Sequence, residues 1–333
     1  MVNRKDETVS LTDEDIEELL PWFGYGHFKE VNIVFLGNEE GLGGYPIEAT
    51  LARTRVYGKC EKTWLTENWE DGYWDETGYA GYLKLGEVTN QIRAELGLSP
   101  FVKEKEGYFP ILDFQARLLL SLEEPDNDWF QLKGWYSFHD PAKGTQLKNT
   151  IRNLYSNTRK FKAGLVDWRP LPRPDENSWP YTGIDKKRYL DAFSLKRPYY
   201  ENVKNVLNER GLQKDIDLDP YSTMLYKRVT LMKNVLSGFP FSLLIGAGAV
   251  ASKKRLLQLI FNDQRINFKK KPLSGGKKYE IADIKVRDRS FTVLLTPFFN
   301  HRKNCLQLTG LKELVDNVIK PMLSAKSKSE EAL

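Results

Sequence analysis

Val31-Asn-Ile-Val-Phe-Leu-Gly-Asn-Glu-Glu-Gly-Leu-Gly-Gly-Tyr45 is the stretch on which the reading of this chain turns. Its apolar run, Val31 to Leu36, meets Gly37-Asn38-Glu39-Glu40-Gly41, and more glycine follows at Gly43 and Gly44. A short β-branched and aromatic run that stops at glycine predicts a buried strand closed by a tight loop. Open α/β sheets bind ligands beyond the carboxyl ends of their strands. Two carboxylates at such an edge, on a backbone loosened by glycine, make Glu39 and Glu40 the first candidates for chemistry.

Helical and strand signals alternate outward from this stretch. Thr12-Asp13-Glu14-Asp15 predicts a capped helix to Leu20, stopped by Pro21. Ile47 to Gly58 fits helix or strand equally, and residues 61–79 read as an aromatic, acidic insertion. Apolar spacing predicts helices over Tyr82–Leu96, Ile111–Leu122 and Gly144–Thr158. Ala163–Trp168 reads as a strand, and Arg169–Pro174 as a proline-rich stretch outside any helix or central strand. Helices are expected over 185–212, with a break at Pro198, over Ser222–Leu236, over Val250–Phe261 and over Leu308–Leu323. Strands are expected at Phe241–Ile245, Tyr279–Val286 and Phe291–Leu295. This alternation predicts an α/β fold, a three-layer α/β/α arrangement around a mainly parallel central sheet. Residues 1–28 read as a helical extension and 29–323 as one domain with insertions at 61–140 and 180–220. Residues 324–333 read as a frayed, disordered tail.

Composition narrows the function classes. The 333 residues are 41% hydrophobic and 12% aromatic, enough to bury a full core. No apolar run approaches the ~18 residues of a membrane span, and the charged N-terminus lacks the apolar core of a secretory signal. Cys60 and Cys305 are too few for a disulfide scaffold and point to a reducing cytoplasm. With His27, His139 and His301 scattered, no metal site and no cofactor are expected. Charge is unevenly spread. Ala251 to Lys303 holds 14 Lys or Arg against four Asp or Glu, a balance of +10 in a chain whose net is +5. A basic segment on an otherwise acidic protein fits a polyanion partner, unless it is simply a solvated lysine-rich surface.

Four expected strand ends carry special residues: the 37–45 loop, Asp167-Trp168, Gly246–Gly248 and Thr296–Arg302. Together they resemble the uracil-DNA glycosylase superfamily. Gly37-Asn38-Glu39-Glu40-Gly41 resembles its first loop, G-x-x-P-G or G-x-D-P-Y, which positions the water-activating residue. Glu39 falls where several branches place a catalytic Asp or Asn, and Asn38 where another places a Glu. Leu165-Val-Asp167-Trp168-Arg-Pro170 resembles the middle strand that reads the pyrimidine edge. Leu294-Leu-Thr-Pro-Phe-Phe-Asn-His301 resembles the last loop, which contacts DNA and wedges into the duplex. The matched framework spans roughly residues 30–60, 145–180 and 225–320. Glu40 stands where the family has proline. Thr296 stands where it has histidine, with His301 five residues on.

The resemblance implies a DNA glycosylase that acts without metal. Glu39 would activate water, with Asn38 and Glu40 beside it. Tyr45 would stack on a flipped base, and Asp167, next to Trp168, would read it. Ser252, Lys253, Lys254, Asn300, His301 and Arg302 would contact DNA, with Phe298 or Phe299 as the wedge. A carboxylate accepts from cytosine N4, so Asp167 favours a base with an exocyclic amine, such as a modified cytosine. Known members serve in repair, and some in defence against phage with bulky modified cytosines. DNA is the expected partner; no membrane and no protein partner are expected. Each residue also has a plainer reading. Glu39 would cap a turn or pair with a basic residue, Asp167 would bridge to Arg169 or Arg173, and both Phe residues would be core. Gly246-Ala-Gly248-Ala-Val-Ala251 also fits the G-x-G-x-x-A fingerprint of a Rossmann-type nucleotide enzyme. A non-catalytic DNA-binding module is the third alternative.

Overall fold

A computed structural model of the chain describes residues 8–42, 44–57, 80–102, 109–131, 141–156, 158–208 and 218–330. The aromatic stretch 61–79, residues 331–333 and the side chain of Glu40 lie outside the described set. The chain opens with β1 (Val9–Ser10), α1 (Asp13–Leu19) and β2 (Gly24–Tyr25). Thr12 starts α1 by a reciprocal cap. Its hydroxyl accepts from the Asp15 N–H at 3.2 Å, and Asp15 Oδ2 accepts from the Thr12 N–H at 2.8 Å.

β3 (Ile33–Gly41) is the central strand. Ile33, Val34, Phe35 and Leu36 are all buried, as an unbroken apolar run must be when both sheet faces are covered. Each such side chain contributes about 1.5–3 kcal/mol by leaving water. The strand does not stop at Gly37 as expected. It runs on through Asn38, Glu39 and Glu40 because β4 (Ala163–Arg173) continues beside it, pairing Gly37 with Asp167, Glu39 with Arg169 and Gly41 with Arg173. β4 thereby passes through the proline stretch expected to lie outside the sheet. Between Glu39 and Gly41 the register slips, and Pro170 and Pro172 fall inside that irregularity. A bulge leaves residues out of the ladder, so prolines without an N–H are tolerated there.

Among the described residues, the crossover from β3 to β4 carries the helices α2 (Ala49–Tyr57), α3 (Ala80–Glu95), α4 (Pro110–Glu123) and α5 (Pro141–Arg152). After β4 come β5 (Tyr181–Thr182), α6 (Lys186–Phe193), α7 (Arg197–Asn208) and α8 (Pro220–Gly238). Then follow β6 (Leu243–Ala247), α9 (Val250–Ile260), β7 (Lys269–Pro272), β8 (Lys278–Val286) and β9 (Arg289–Thr296). α10 (Leu308–Leu314), a π turn at Val315–Ile319 and α11 (Lys320–Glu330) close the described chain. The ambiguous 47–58 segment is thus helix α2. Pro198 lies in the first turn of α7, where proline is tolerated, and the break is at Leu195 with φ +56°. Helix α11 also runs through most of the segment expected to fray.

The main sheet is mixed, in the order β2-β4-β3-β6-β9-β8-β7. Its four central strands, β4, β3, β6 and β9, run parallel. β2 is antiparallel to β4, as are β8 to β9 and β7 to β8. The expected parallel sheet therefore holds at the centre and fails at both edges. Val286 pairs with Arg289 across a two-residue turn whose Arg287 has φ +54°, and so short a connection can only make an antiparallel pair. Residues expected as an extension or an insertion share the central core: Leu11, Ile16 and Phe23, and Phe114, Leu118 and Leu119 of α4, pack in one cluster with β3.

Candidate functional site

Of the four parallel strands the chain makes β3 first, places β4 on one side of it, then crosses to the other side for β6 and β9. The order of the parallel strands therefore reverses between β3 and β6, the position beside which open α/β sheets usually hold their ligands. Here β3 contributes Asn38, and α9 contributes Lys253.

Lys253 sits in the first turn of α9 on its apolar face, spaced with Leu256, Leu257 and Ile260, and is only 2% exposed. Its stem crosses Gly246, where a Cβ would come within 2.8 Å of Lys253 Cδ. Nζ donates to Asn38 Oδ1 at 2.6 Å and to the carbonyls of Ala247 at 3.1 Å and Gly248 at 3.2 Å. Burial pushes the Lys253 ammonium down to about 7, with Asp167 and Glu176 opposing the drop and Arg169 adding to it. Sequence reasoning placed Lys253 on the surface against phosphate. The structure turns it inward, and the apolar helical spacing around it was the available signal.

Asp167 is level with Gly37 on β4, and its Oδ1 occupies the space a Cβ on Gly37 would need. Glycine at 37 is thus a requirement of Asp167. Its backbone is fixed on both sides. The Asp167 N–H donates to the Phe23 carbonyl at 2.7 Å, and its carbonyl accepts from Arg228. Fully buried Arg228 of α8 also donates to the carbonyls of Trp168, Leu20 and Trp22, and burial pushes it down to about 10. It shares a buried helix face with Leu225, Val229 and Met232, an arginine in an apolar pattern that sequence reading passed over.

Glu39 is held by two arginines. Arg173 Nη2 donates to Oε1 at 2.7 Å and to Oε2 at 2.9 Å, Arg173 Nε to Oε2 at 3.1 Å, and Arg169 Nη1 to Oε2 at 3.3 Å. Its side chain is 11% exposed and that of Arg173 2%. The arginines expected as the plainer partners of Asp167 are therefore taken by Glu39. A carboxylate in this setting is a fixed negative charge with few lone pairs left for water.

The remaining candidates divide. Tyr45 is buried, its ring 5.6 Å from that of Phe101 and 3.7 Å from where a Cβ on Gly86 would stand. Trp168 is core, its indole N–H donating to the Phe193 carbonyl at 3.1 Å. Lys254 pairs with Glu280 at 2.6 Å, and Ser252 is half-buried beside it on α9. Beyond β9, Phe299 is buried against Phe114, whereas Phe298 is 44% exposed and lies over Gly248. Asn300 Oδ1 accepts from the Arg302 N–H at 3.2 Å, the His301 ring sits edge-on to Phe114, and Arg302 is exposed.

Gly248 has φ +72° and a Cβ there would meet Phe298 at 3.1 Å, so the turn after β6 is roofed by Phe298 and filled by Lys253. A dinucleotide phosphate would need that space, which counts against the Rossmann alternative. Among the described residues no group of three or more His, Cys, Asp or Glu could hold a metal ion, and no described helix is long and apolar enough to cross a membrane. A separate open hollow of about 590 Å³, lined by Gln146, Asn149, Asn153 and Arg159 among others, lies away from the strand ends. Comparison with family models, with curated proteins and with solved structures found no match.

Proposed function

We propose that this protein is a DNA glycosylase of the uracil-DNA glycosylase type, which flips a modified pyrimidine out of DNA and hydrolyses its N-glycosidic bond. The observation that carries the reading is the hydrogen bond from buried Lys253 to Asn38 just beyond the end of β6, with buried Asp167 on the neighbouring β4 level with Gly37, beside the point where the strand order reverses. The proposal includes the three-layer arrangement. Right-handed crossovers leaving β3 in one direction and β4 in the other put their helices on opposite faces.

In this reaction the C1′–N1 bond breaks and the base leaves with the electron pair. The sugar becomes oxocarbenium-like, water oxygen bonds to C1′, and the water proton passes to the departing base or to solvent. So reactive a cation needs water held in place more than it needs a strong base. The Asn38 amide, anchored by Lys253, serves that purpose. Asp167 accepts from the exocyclic amine of a cytosine-type base. Glu39, neutralised by Arg173 and Arg169, takes a framework role in place of the water-activating role expected of it. Phe298 enters the base stack, and Arg302 and Asn300 meet phosphates. The cytoplasm, where bacterial or phage DNA is exposed, is the proposed setting.

The test is an abasic-site assay on DNAs carrying uracil, a thymine mismatch, 5-hydroxymethylcytosine and its glucosylated form, without metal and followed by alkali. Cleavage of an amine-bearing substrate, lost in Asp167→Asn more than cleavage of uracil, supports the reading. Binding without cleavage of any substrate favours the binding module. Neither binding nor cleavage overturns both.

A further inference from the structure

We infer that Lys253 is a positioning residue: its ammonium holds the Asn38 amide with Oδ1 inward, so that Nδ2 offers its N–H donors to a ligand, and loss of the ammonium proton releases Asn38. This deepens the glycosylase reading and rests on it for the ligand, while the geometry stands on its own.

The orientation follows from donors and acceptors. A lysine ammonium only donates, so the Asn38 atom at 2.6 Å is necessarily the oxygen. The amide nitrogen then faces the other way, and among the described residues it has no hydrogen-bond partner. Asn38 is half-buried, so solvent reaches part of its side chain while its oxygen is held by Lys253. What it holds is an acceptor oxygen, of the attacking water or of the base.

The release follows from counting. Nζ faces three oxygens: Asn38 Oδ1 and the carbonyls of Ala247 and Gly248. An ammonium has three N–H donors for them. A neutral amine has two, and its lone pair must point at the third oxygen. The two carbonyls are main-chain groups, one at the end of β6 and one in the turn before α9, and cannot swing away as a side chain can. Asn38 hangs on a rotatable side chain and is the group that lets go. Charged groups near Nζ come from β4, with Asp167 favouring the ammonium and Arg169 opposing it, and from the turn after β4, where Glu176 favours it. β6 and the near end of β9 bring no charge.

The first measurement is the ¹⁵N–¹H signal of the Asn38 side-chain amide between pH 6 and 9, assigned by its loss in Asn38→Asp. We expect one titration with a midpoint near 7 in the wild type and none in Lys253→Met. The second is the excision rate. It should fall at least tenfold in kcat from pH 6 to 9 with KM little changed, stay high and flat in Lys253→Arg, and be flat and at least tenfold lower in Lys253→Met. An Asn38 signal unmoved across this range in the wild type overturns the inference, and it needs no variant to fold. A Lys253→Met enzyme with the wild-type rate and profile overturns it as well. If wild-type protein excises nothing while Asn38 still titrates with Lys253, the glycosylase reading fails and the positioning of Asn38 by Lys253 is upheld.

Discussion

The Glu39 clamp makes the sharpest prediction. Arg173 reaches both carboxylate oxygens at 2.7 and 2.9 Å, and its side chain is 2% exposed. Arg173→Met leaves Glu39, 11% exposed, with Arg169 at 3.3 Å as its one remaining cation among the described residues. Breaking a buried ion pair by removing one partner costs about 3–5 kcal/mol, because the survivor's charge stays desolvated. Glu39→Ala should cost a similar amount by stranding Arg173. The double variant removes both charges, so its loss should fall short of the sum by roughly 1–3 kcal/mol. Urea unfolding of the four proteins measures the cycle. Losses that add to within about 0.5 kcal/mol would refute the clamp. The abasic-site assay adds a second reading. A framework Glu39 predicts that Glu39→Gln and Arg173→Met lose activity in step with the folded fraction. A Glu39→Gln protein that is fully folded yet inert would restore Glu39 as the group that activates water.

Other consequences follow from the same neighbourhood. Gly37→Ala puts a methyl where Asp167 Oδ1 lies, so base discrimination should fall while stability drops by about 1–3 kcal/mol, read by competition between amine-bearing and uracil substrates. Arg228→Met strands the carbonyls of Leu20, Trp22, Asp167 and Trp168, at about 1–3 kcal/mol for each group left without a donor, and should give protein unfolded or aggregated at 37 °C. Lys253 binds a proton less readily folded than unfolded. Its contribution to stability should therefore rise with pH between about 7 and the ordinary lysine value of 10.5, by at most about 1.4 kcal/mol per unit, and this slope should vanish in Lys253→Met. Phe298→Ala should leave unfolding within about 0.5 kcal/mol of wild type and weaken duplex binding, whereas Phe299→Ala should cost about 3–5 kcal/mol.

Most helices were legible because their signals are local, α2 being the exception. Thr12 with Asp15 and the apolar spacing of α4 each fix an element from within a few residues, whereas the Asp219 cap and Pro220, which start α8 two residues before the expected Ser222, were not read. Strand identity at β6 and β9 was legible for the same reason. The extents of β3 and β4 were not, because Gly37 and Pro170 act as breakers only until a neighbouring strand supplies pairing, and that neighbour is more than a hundred residues away. The site followed the same division. That Asn38 follows the apolar run of β3 and Asp167 that of β4 could be read from the chain, although both strands continue past them. That Arg173 belongs to Glu39, and that Lys253 turns inward, depends on packing that only the folded structure reveals. The basic 251–303 segment was visible as composition, yet Lys254 spends its charge on Glu280 and Lys253 lies inside.

β7 has a second meaning. Its residues, Lys269-Lys270-Lys271-Pro272, are all exposed, and among the described residues no strand pairs beyond them at this edge of the sheet. A free edge is an invitation to self-assembly, since its unpaired peptide groups can recruit a strand from another molecule. Three like charges repel an identical edge, and the proline removes a donor that an incoming strand would need. At the opposite side β2 is two residues long, too short to template anything. Part of the positive charge that reads as a polyanion footprint therefore also guards against aggregation. A variant with threonine at all three lysines would turn this border into a seam between copies of the chain.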